Sequence, residues 1–121
     1  MLSARKRAML EGMKKIKTIK DFKTKYTTTD VDIFLSEYAD GSGQPALVAN
    51  DATTGEPVSA FTVNLIGYGI VPDVGNVIIS DYSENEGIFD ELFKHGIVGE
   101  ELDYHIFGFN ASAKEAKLLV D

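Results

Sequence analysis

The chain has few side chains of the kinds that carry out catalysis or bind metals. It contains no cysteine and two histidines, His95 and His105. These histidines do not have the spacing of a zinc-binding motif, and a closed zinc site would need further ligands beside them. His95 precedes Gly96, a residue typical of helix ends, where an imidazole stabilises the last carbonyls. We therefore predict structural roles for both histidines, and neither a metal nor a cofactor.

One acidic segment imitates a calcium-binding loop, because Asp81, Ser83 and Asn85 have the spacing of its oxygen ligands. Such a loop needs a glycine at its sixth position, where Glu86 stands, and a glutamate at its twelfth, where Leu92 stands. Ser83 and Glu86 fit the capping box of a helix instead. We therefore interpret the segment as a helix start.

Carboxylates are abundant enough to consider acid–base catalysis. Glu84 with Glu86, and Glu100 with Glu101, are pairs of the type that divide acid and base roles in glycosidases. Nothing in the sequence places either pair in an apolar pocket. The nucleophile elbow, the phosphate-binding loop and the dinucleotide fingerprint do not occur in the sequence. We therefore predict a protein that is not an enzyme.

The two ends of the chain carry opposite charges. Residues 1–25 contain nine Lys or Arg residues against two acids, a net charge of +7. Residues 26–121 contain three against seventeen, a net of −14, which gives the overall −7. This asymmetry is the strongest feature of the composition. It predicts a basic, partly mobile N-terminal extension over residues 1–25 and a single acidic domain over residues 26–121.

The length of 121 residues fits one domain. No stretch approaches the roughly 20 apolar residues of a membrane helix. No apolar run follows the basic residues 5–7, as it would in a signal peptide. We therefore expect a cytoplasmic protein, with no membrane partner.

The elements that would position any functional side chain follow from hydrophobic periodicity. Residues 3–20 favour a basic helix, with Ile16, Ile19, Phe22 and Tyr26 spaced to form one apolar stripe. Residues 29–38 alternate between apolar and polar, which is typical of a half-buried strand. Residues 46–49 and 58–65 continue an antiparallel meander, joined by glycine-containing turns.

In the second half of the chain, the residue pattern predicts a buried strand at residues 77–79, a helix at residues 84–95 and a last strand at residues 103–109. Residues 113–119 read as a short helix or tail. The fold class is therefore α+β: a small antiparallel sheet of four to five strands, with one helix packed on a face and a basic N-terminal helix.

Two charged surfaces are candidates for binding. The acidic surface would recognise a basic partner protein, with an aromatic anchor beside carboxylates of one strand and one helix. Its predicted residues are Asp30, Asp32, Tyr82, Glu84, Asp90 and Glu91. The alternative is a nucleic-acid contact through the basic segment. Its predicted residues are Lys14, Lys15, Lys17, Lys20, Lys23 and Lys25.

Two segments carry a resemblance to a known family. Gly55-Glu56-Pro57 leading to Thr62-Val63-Asn64-Leu65 is one, and Asp81-Tyr82-Ser83-Glu84-Asn85-Glu86-Gly87 is the other. They resemble a family of small proteins with a domain of unknown function, carried by phages, plasmids and integrated elements of Gram-positive bacteria. The similarity covers roughly residues 28–110 and leaves the basic N-terminus outside.

The resemblance implies a context and no catalytic residues, since small accessory proteins of mobile elements often counter host defence. Several are acidic, non-enzymatic inhibitors of nucleases, anti-CRISPR proteins among them. It implies an inhibitor that binds a host protein, such as a CRISPR–Cas or restriction nuclease, and covers its basic nucleic-acid groove. The alternative is an accessory protein that binds nucleic acid through its basic segment.

Overall fold

The computed structural model describes residues 13–38, 44–82, 85–108 and 111–120, and these form two antiparallel sheets and one α-helix. The first sheet has the order β1-β2-β3-β4. Its strands are β1 (Lys14–Lys23), β2 (Thr28–Glu37), β3 (Pro45–Asp51) and β4 (Pro57–Ala60). The second sheet has the order β5-β7-β6. Its strands are β5 (Asn76–Ser80), β6 (Val98–Phe107) and β7 (Ala111–Leu118). The helix α1 comprises Ile88–Lys94, and a 3-10 turn comprises Ile66–Tyr68.

The predicted meander is confirmed, except that its third strand ends at Ala60 rather than at residue 65. Strands β2, β3 and β4 pair antiparallel in sequence order. Alternation along β2 puts Val31 and Ile33 fully inside the core, as its apolar–polar pattern requires. The turn after β3 is held by Asp51, whose carboxylate accepts the N–H groups of Thr53 and Thr54. These hydrogen bonds lower the pKa of Asp51.

The predicted basic N-terminal helix is wrong for the part of it that the structure describes. Lys14–Lys23 is a strand that pairs along β2. The register shifts between Lys15 and Lys17 and again between Ile19 and Phe22. Each shift adds a residue to β1, so apolar side chains three positions apart reach the same core, as they would on a helix. Residues 1–12, the rest of the predicted extension, lie outside the described residues.

The helix or tail predicted at residues 113–119 is also wrong. Residues 113–118 belong to β7, the central strand of the second sheet. Its Ala and Lys residues have high helix propensity, but β5 and β6 pair with it on both sides. Tertiary pairing of this kind overrides the local preference.

The two sheets are joined at Phe61 and Thr62, which follow β4. The Phe61 N–H donates to Leu47 of β3, while the Phe61 carbonyl accepts the Ser80 N–H of β5. Thr62 then forms a bridge with Ile79. The main core lies where both sheets meet α1. A second core packs Leu65, Ile78, Phe107 and Ala113 together. The second sheet is therefore covered on both faces.

Helix α1 begins later than predicted. Its N-cap is Gly87 rather than Ser83, which lies outside the described residues. One oxygen of Asp81 accepts the N–H of Gly87 at 2.9 Å and that of Phe89 at 3.4 Å. This carboxylate therefore does the work predicted for the capping box. The predicted end at Gly96 is confirmed, since Gly96 has a φ of +73° just after the helix. No helix among the described residues is long and apolar enough to cross a membrane.

We expect Phe22→Ala to destabilise the protein by about 3–5 kcal/mol, the usual cost of removing a buried phenylalanine. Phe22 is fully buried and its ring stacks on Phe61 at 5.5 Å between centroids. Urea unfolding followed by circular dichroism measures the change. Tyr26→Ala is the control, because the exposed Tyr26 lies in the next turn. Equal stability of both variants would show that β1 is not an integral part of the core.

Candidate functional site

Strand β6 exposes more large apolar side chains than its place in a sheet would suggest. Leu102, Tyr104 and Ile106 are 63%, 50% and 73% exposed. Among the described residues β6 pairs only with β7, so it is an edge strand of the second sheet. Exposed apolar side chains grouped in this way mark interaction surfaces, whereas single ones are ordinary.

The same side of β6 is acidic. Tyr104 lies opposite Lys114 in the register and Ile106 lies opposite Ser112, so directly paired residues place these side chains on one face. The Lys114 ammonium lies 3.2 Å from Asp81 and 3.8 Å from Glu101. It also lies over the Phe89 ring.

These neighbours change the proton affinity of Lys114. Burial alone would lower the pKa of Lys114, but the hydrogen bond to Asp81 and the charges of Asp81, Glu101 and Asp90 together outweigh it and raise the pKa. Lys114 is therefore surrounded by three carboxylates on this side of β6. We call the exposed group the β6 face: Asp90, Glu101, Leu102, Tyr104 and Ile106.

The acidic residues predicted on β2 form hydrogen bonds to the neighbouring strand. An oxygen of Asp30 accepts the backbone N–H of Asp21 at 2.9 Å, and Asp32 accepts the hydroxyl hydrogen of Thr18. Both contacts join β2 to β1. Asp21 itself has a φ of +54°, so the Asp30 bond holds the strand at its most irregular point.

The residues predicted around the helix divide between two roles. Glu91 is buried, and its carboxylate accepts the Lys23 N–H at 3.1 Å, which ties α1 to β1. Asp90 is exposed and belongs to the β6 face. Tyr82 is half-buried, with its ring edge-on to Phe107 at 5.7 Å between centroids. Glu84 lies outside the described residues.

The lysines predicted for nucleic-acid contact lie on and just after β1. Two of them are already engaged: Lys17 donates to the His95 carbonyl at 2.7 Å, and Lys25 pairs with Glu86 at 3.3 Å. The side chains of Lys14, Lys15, Lys20 and Lys23 are exposed. Lysines on an edge strand also prevent pairing with another sheet, so a structural role accounts for them equally well.

A cleft of about 340 Å³ lies between the turn after β1 and the start of α1. Four of its charged side chains pair with one another: Lys25 with Glu86, and Lys94 with Glu91 at 3.9 Å. None of the described residues that line the cleft has a large apolar side chain. The cleft is therefore less suited to a small ligand than a pocket with apolar walls.

The opposite face of β6 carries a polar cluster that the sequence did not predict. Glu115 of β7 is buried, and one of its oxygens accepts the Asn76 amide at 2.8 Å and the Asp73 N–H at 3.1 Å. The other oxygen lies 3.0 Å from Nε2 of His105, and Asp103 lies 3.8 Å from the same nitrogen. Burial alone would raise the pKa of Glu115, but the hydrogen bonds from Asn76, His105 and Asp73 outweigh it and lower the pKa.

The sequence could have indicated this cluster only if the pairing of β6 with β7 had been predicted. Asp103 lies four residues before Phe107 and Glu115 lies four residues after Ala111, and both pairs are direct partners in the register. His105, two residues along β6, then falls on the same face as Asp103. Residues 113–119 were expected to form a helix or tail, so the pairing was missed.

Comparison of the chain with protein-family models, curated proteins and solved structures found no match. Function must therefore be inferred from the surfaces and clusters described above.

We expect Glu91→Ala to lower the free energy of unfolding by about 1–3 kcal/mol, because it leaves the Lys23 N–H without its acceptor. Chemical denaturation measures the loss. Asp90→Ala is the matched control on the same helix, and this exposed position should change stability by less than about 0.5 kcal/mol. A larger loss for the Asp90 variant than for the Glu91 variant would contradict these assignments.

Proposed function

We propose that the chain is a non-catalytic binding protein whose β6 face docks on a basic surface of a partner protein. The observation that carries this proposal is the exposure of Leu102, Tyr104 and Ile106 along an edge strand. Three large apolar side chains on five consecutive residues cost free energy in water, and a partner would relieve that cost.

The centre of the β6 face has the composition of an interface core. Tyrosine combines a large apolar ring with a hydroxyl and few rotatable bonds, and it is enriched among residues that dominate binding energy. Tyr104 stands between Leu102 and Ile106 in the sequence, with Lys114 directly across the register. Tyr104 is therefore the expected anchor, with the aliphatic side chains around it.

The charge of the chain determines the kind of partner. Glu101 and Asp90 flank the apolar side chains, and residues 26–121 together carry a net charge of −14. A potential of this sign attracts a basic surface and repels a nucleic-acid backbone. The partner we propose is therefore a protein with clustered lysines and arginines.

A basic surface of this kind is what nucleases present to DNA or RNA. An acidic protein docked there would exclude the nucleic acid, so binding alone would inhibit the enzyme. We propose this as the action of the chain: a mobile-element accessory protein, anti-CRISPR-like, that inhibits a CRISPR–Cas or restriction nuclease of its bacterial host. The support for this finer proposal is the charge and the sequence resemblance of residues 28–110 to mobile-element proteins.

The alternative is direct nucleic-acid binding through the exposed lysines of β1. Two observations make it the weaker candidate. Lys17 and Lys25 already contact other groups of the chain, and Glu91 and Asp30 bring carboxylates to the β1 backbone. It is nevertheless separable in the same experiment.

We expect Tyr104→Ser combined with Ile106→Ser to weaken partner binding by about tenfold to a hundredfold, as loss of an interface anchor does. The immobilised full chain is incubated with lysate of a Gram-positive bacterium, with and without nuclease treatment. Retained proteins are identified by mass spectrometry and retained nucleic acid by gel electrophoresis. The affinity of each purified retained protein is then measured for the original chain and the variant. The nucleic acid that the retained protein binds should compete with the chain for the basic surface of that protein.

The matched control is Tyr26→Ser combined with Val74→Ser, which removes two large side chains that are even more exposed, elsewhere on the surface. Binding that survives the control and is lost in the β6 variant supports the proposal. Equal effects of the two variants would contradict it. Recovery of nucleic acid alone, reduced by Lys→Gln changes at Lys14, Lys15 and Lys20, would replace it with the alternative.

A further inference from the structure

The polar cluster on the second face of β6 has the arrangement of a metal site. Asp103 and His105 lie two residues apart on β6, and Glu115 lies on β7 directly opposite Asp103. Side chains two residues apart on a strand point to the same side, so a hairpin register brings all three together. One ligand atom from each residue lies within 4.8 Å of the other two.

The distances fit one small ion shared by the three side chains. Tetrahedral zinc has bonds of about 2.0–2.1 Å to nitrogen and oxygen, so its ligand atoms lie about 3.3–3.4 Å apart. Nε2 of His105 is 3.0 Å from Oε1 of Glu115 and 3.8 Å from Oδ2 of Asp103. The measured separations bracket the ideal one, and rotation of the exposed Asp103 side chain adjusts the longer.

Neighbouring groups already orient two of the three ligands. The Asn76 amide and the Asp73 N–H both bind Oε2 of Glu115, which leaves Oε1 directed at His105. The Tyr104 N–H binds Oδ1 of Asp103 at 2.8 Å, and Oδ2 is the oxygen nearer to His105. Outer hydrogen bonds of this kind fix ligand orientation in metal sites.

The three ligands differ in their exposure to solvent, as in a metal site that is open on one side. Glu115 is buried, the His105 side chain is 15% exposed and the Asp103 side chain is 63% exposed. The ion would therefore reach the cluster from the Asp103 side, where water can occupy the fourth position. Three protein ligands with an open fourth position is the arrangement of accessible zinc sites.

We propose that Asp103, His105 and Glu115 bind one divalent transition-metal ion, with Zn²⁺ as the best match. A histidine nitrogen with two carboxylate oxygens suits Zn²⁺ and its neighbours Co²⁺ and Ni²⁺. Ca²⁺ and Mg²⁺ need a shell of oxygen ligands in greater number, which this cluster does not supply. The site lies on the face of β6 opposite Tyr104 and Ile106, so it is independent of the proposed docking.

The test uses the full chain without a histidine tag, freed of metal by a chelator. Co²⁺ titration is followed through the visible bands of four-coordinate cobalt, and Zn²⁺ affinity is obtained by competition. We expect one ion per chain. Asp103→Asn and His105→Gln should each weaken binding at least tenfold. Asn76→Ala, which removes an orienting hydrogen bond, should weaken it about 10- to 100-fold.

His95→Gln is the matched control, because His95 also lies near a glutamate, 3.8 Å from Glu91. Unchanged binding in this variant, with loss in the Asp103 variant, supports the assigned site. Asp103 is exposed, so its variant should remain folded, and circular dichroism checks this. No binding by the original chain, or equal loss in the His95 and His105 variants, would overturn the proposal.

Discussion

The position of β7 between β5 and β6 is the constraint on which both candidate sites depend. Successive residues of a strand face opposite sides, so Lys114 and Glu115 are held in different surroundings by the same backbone pairing. Lys114 meets Asp81, the carboxylate that also caps α1. Glu115 meets Asn76 and His105 on the other side. The central strand thus anchors the helix start on one face and the polar cluster on the other.

The opposite charges of the two ends of the chain are partly resolved within the fold. Basic strand β1 is held by carboxylates from two directions: Asp30 binds its backbone from β2, and Glu91 binds it from α1. Both bonds use backbone N–H groups, so they persist whatever the lysine side chains do. The carboxylates that remain exposed around β6 then determine the sign of the surface potential there.

Local sequence was enough to predict β2, β3 and β5. Strand β2 alternates between apolar and polar residues apart from Phe34, and β3 and β5 contain short apolar runs bounded by turn residues. Local sequence failed at β1, where two bulges give Ile16, Ile19 and Phe22 a helical spacing. It failed at β7, where Ala and Lys favour a helix until two neighbouring strands pair with them. The polar cluster could not be predicted without that strand, since Glu115 meets Asp103 only through the hairpin register. Among the predicted acidic residues, sequence could not separate the buried Glu91 from the exposed Asp90, which are adjacent on one helix.

The irregular pairing of β6 with β7 explains why both faces of β6 carry polar side-chain contacts. Its ladder with β7 is interrupted twice, between Val98 and Glu101 and between Glu101 and Asp103. An edge strand with two bulges has fewer backbone hydrogen bonds to fix its register. Side-chain contacts from both faces replace them: Glu101 with Lys114 on one side, and His105 with Glu115 on the other. These contacts to β7 fix the strand at Glu101 and at His105, on either side of Tyr104. The exposed apolar side chains therefore lie on a strand that is ordered before a partner binds.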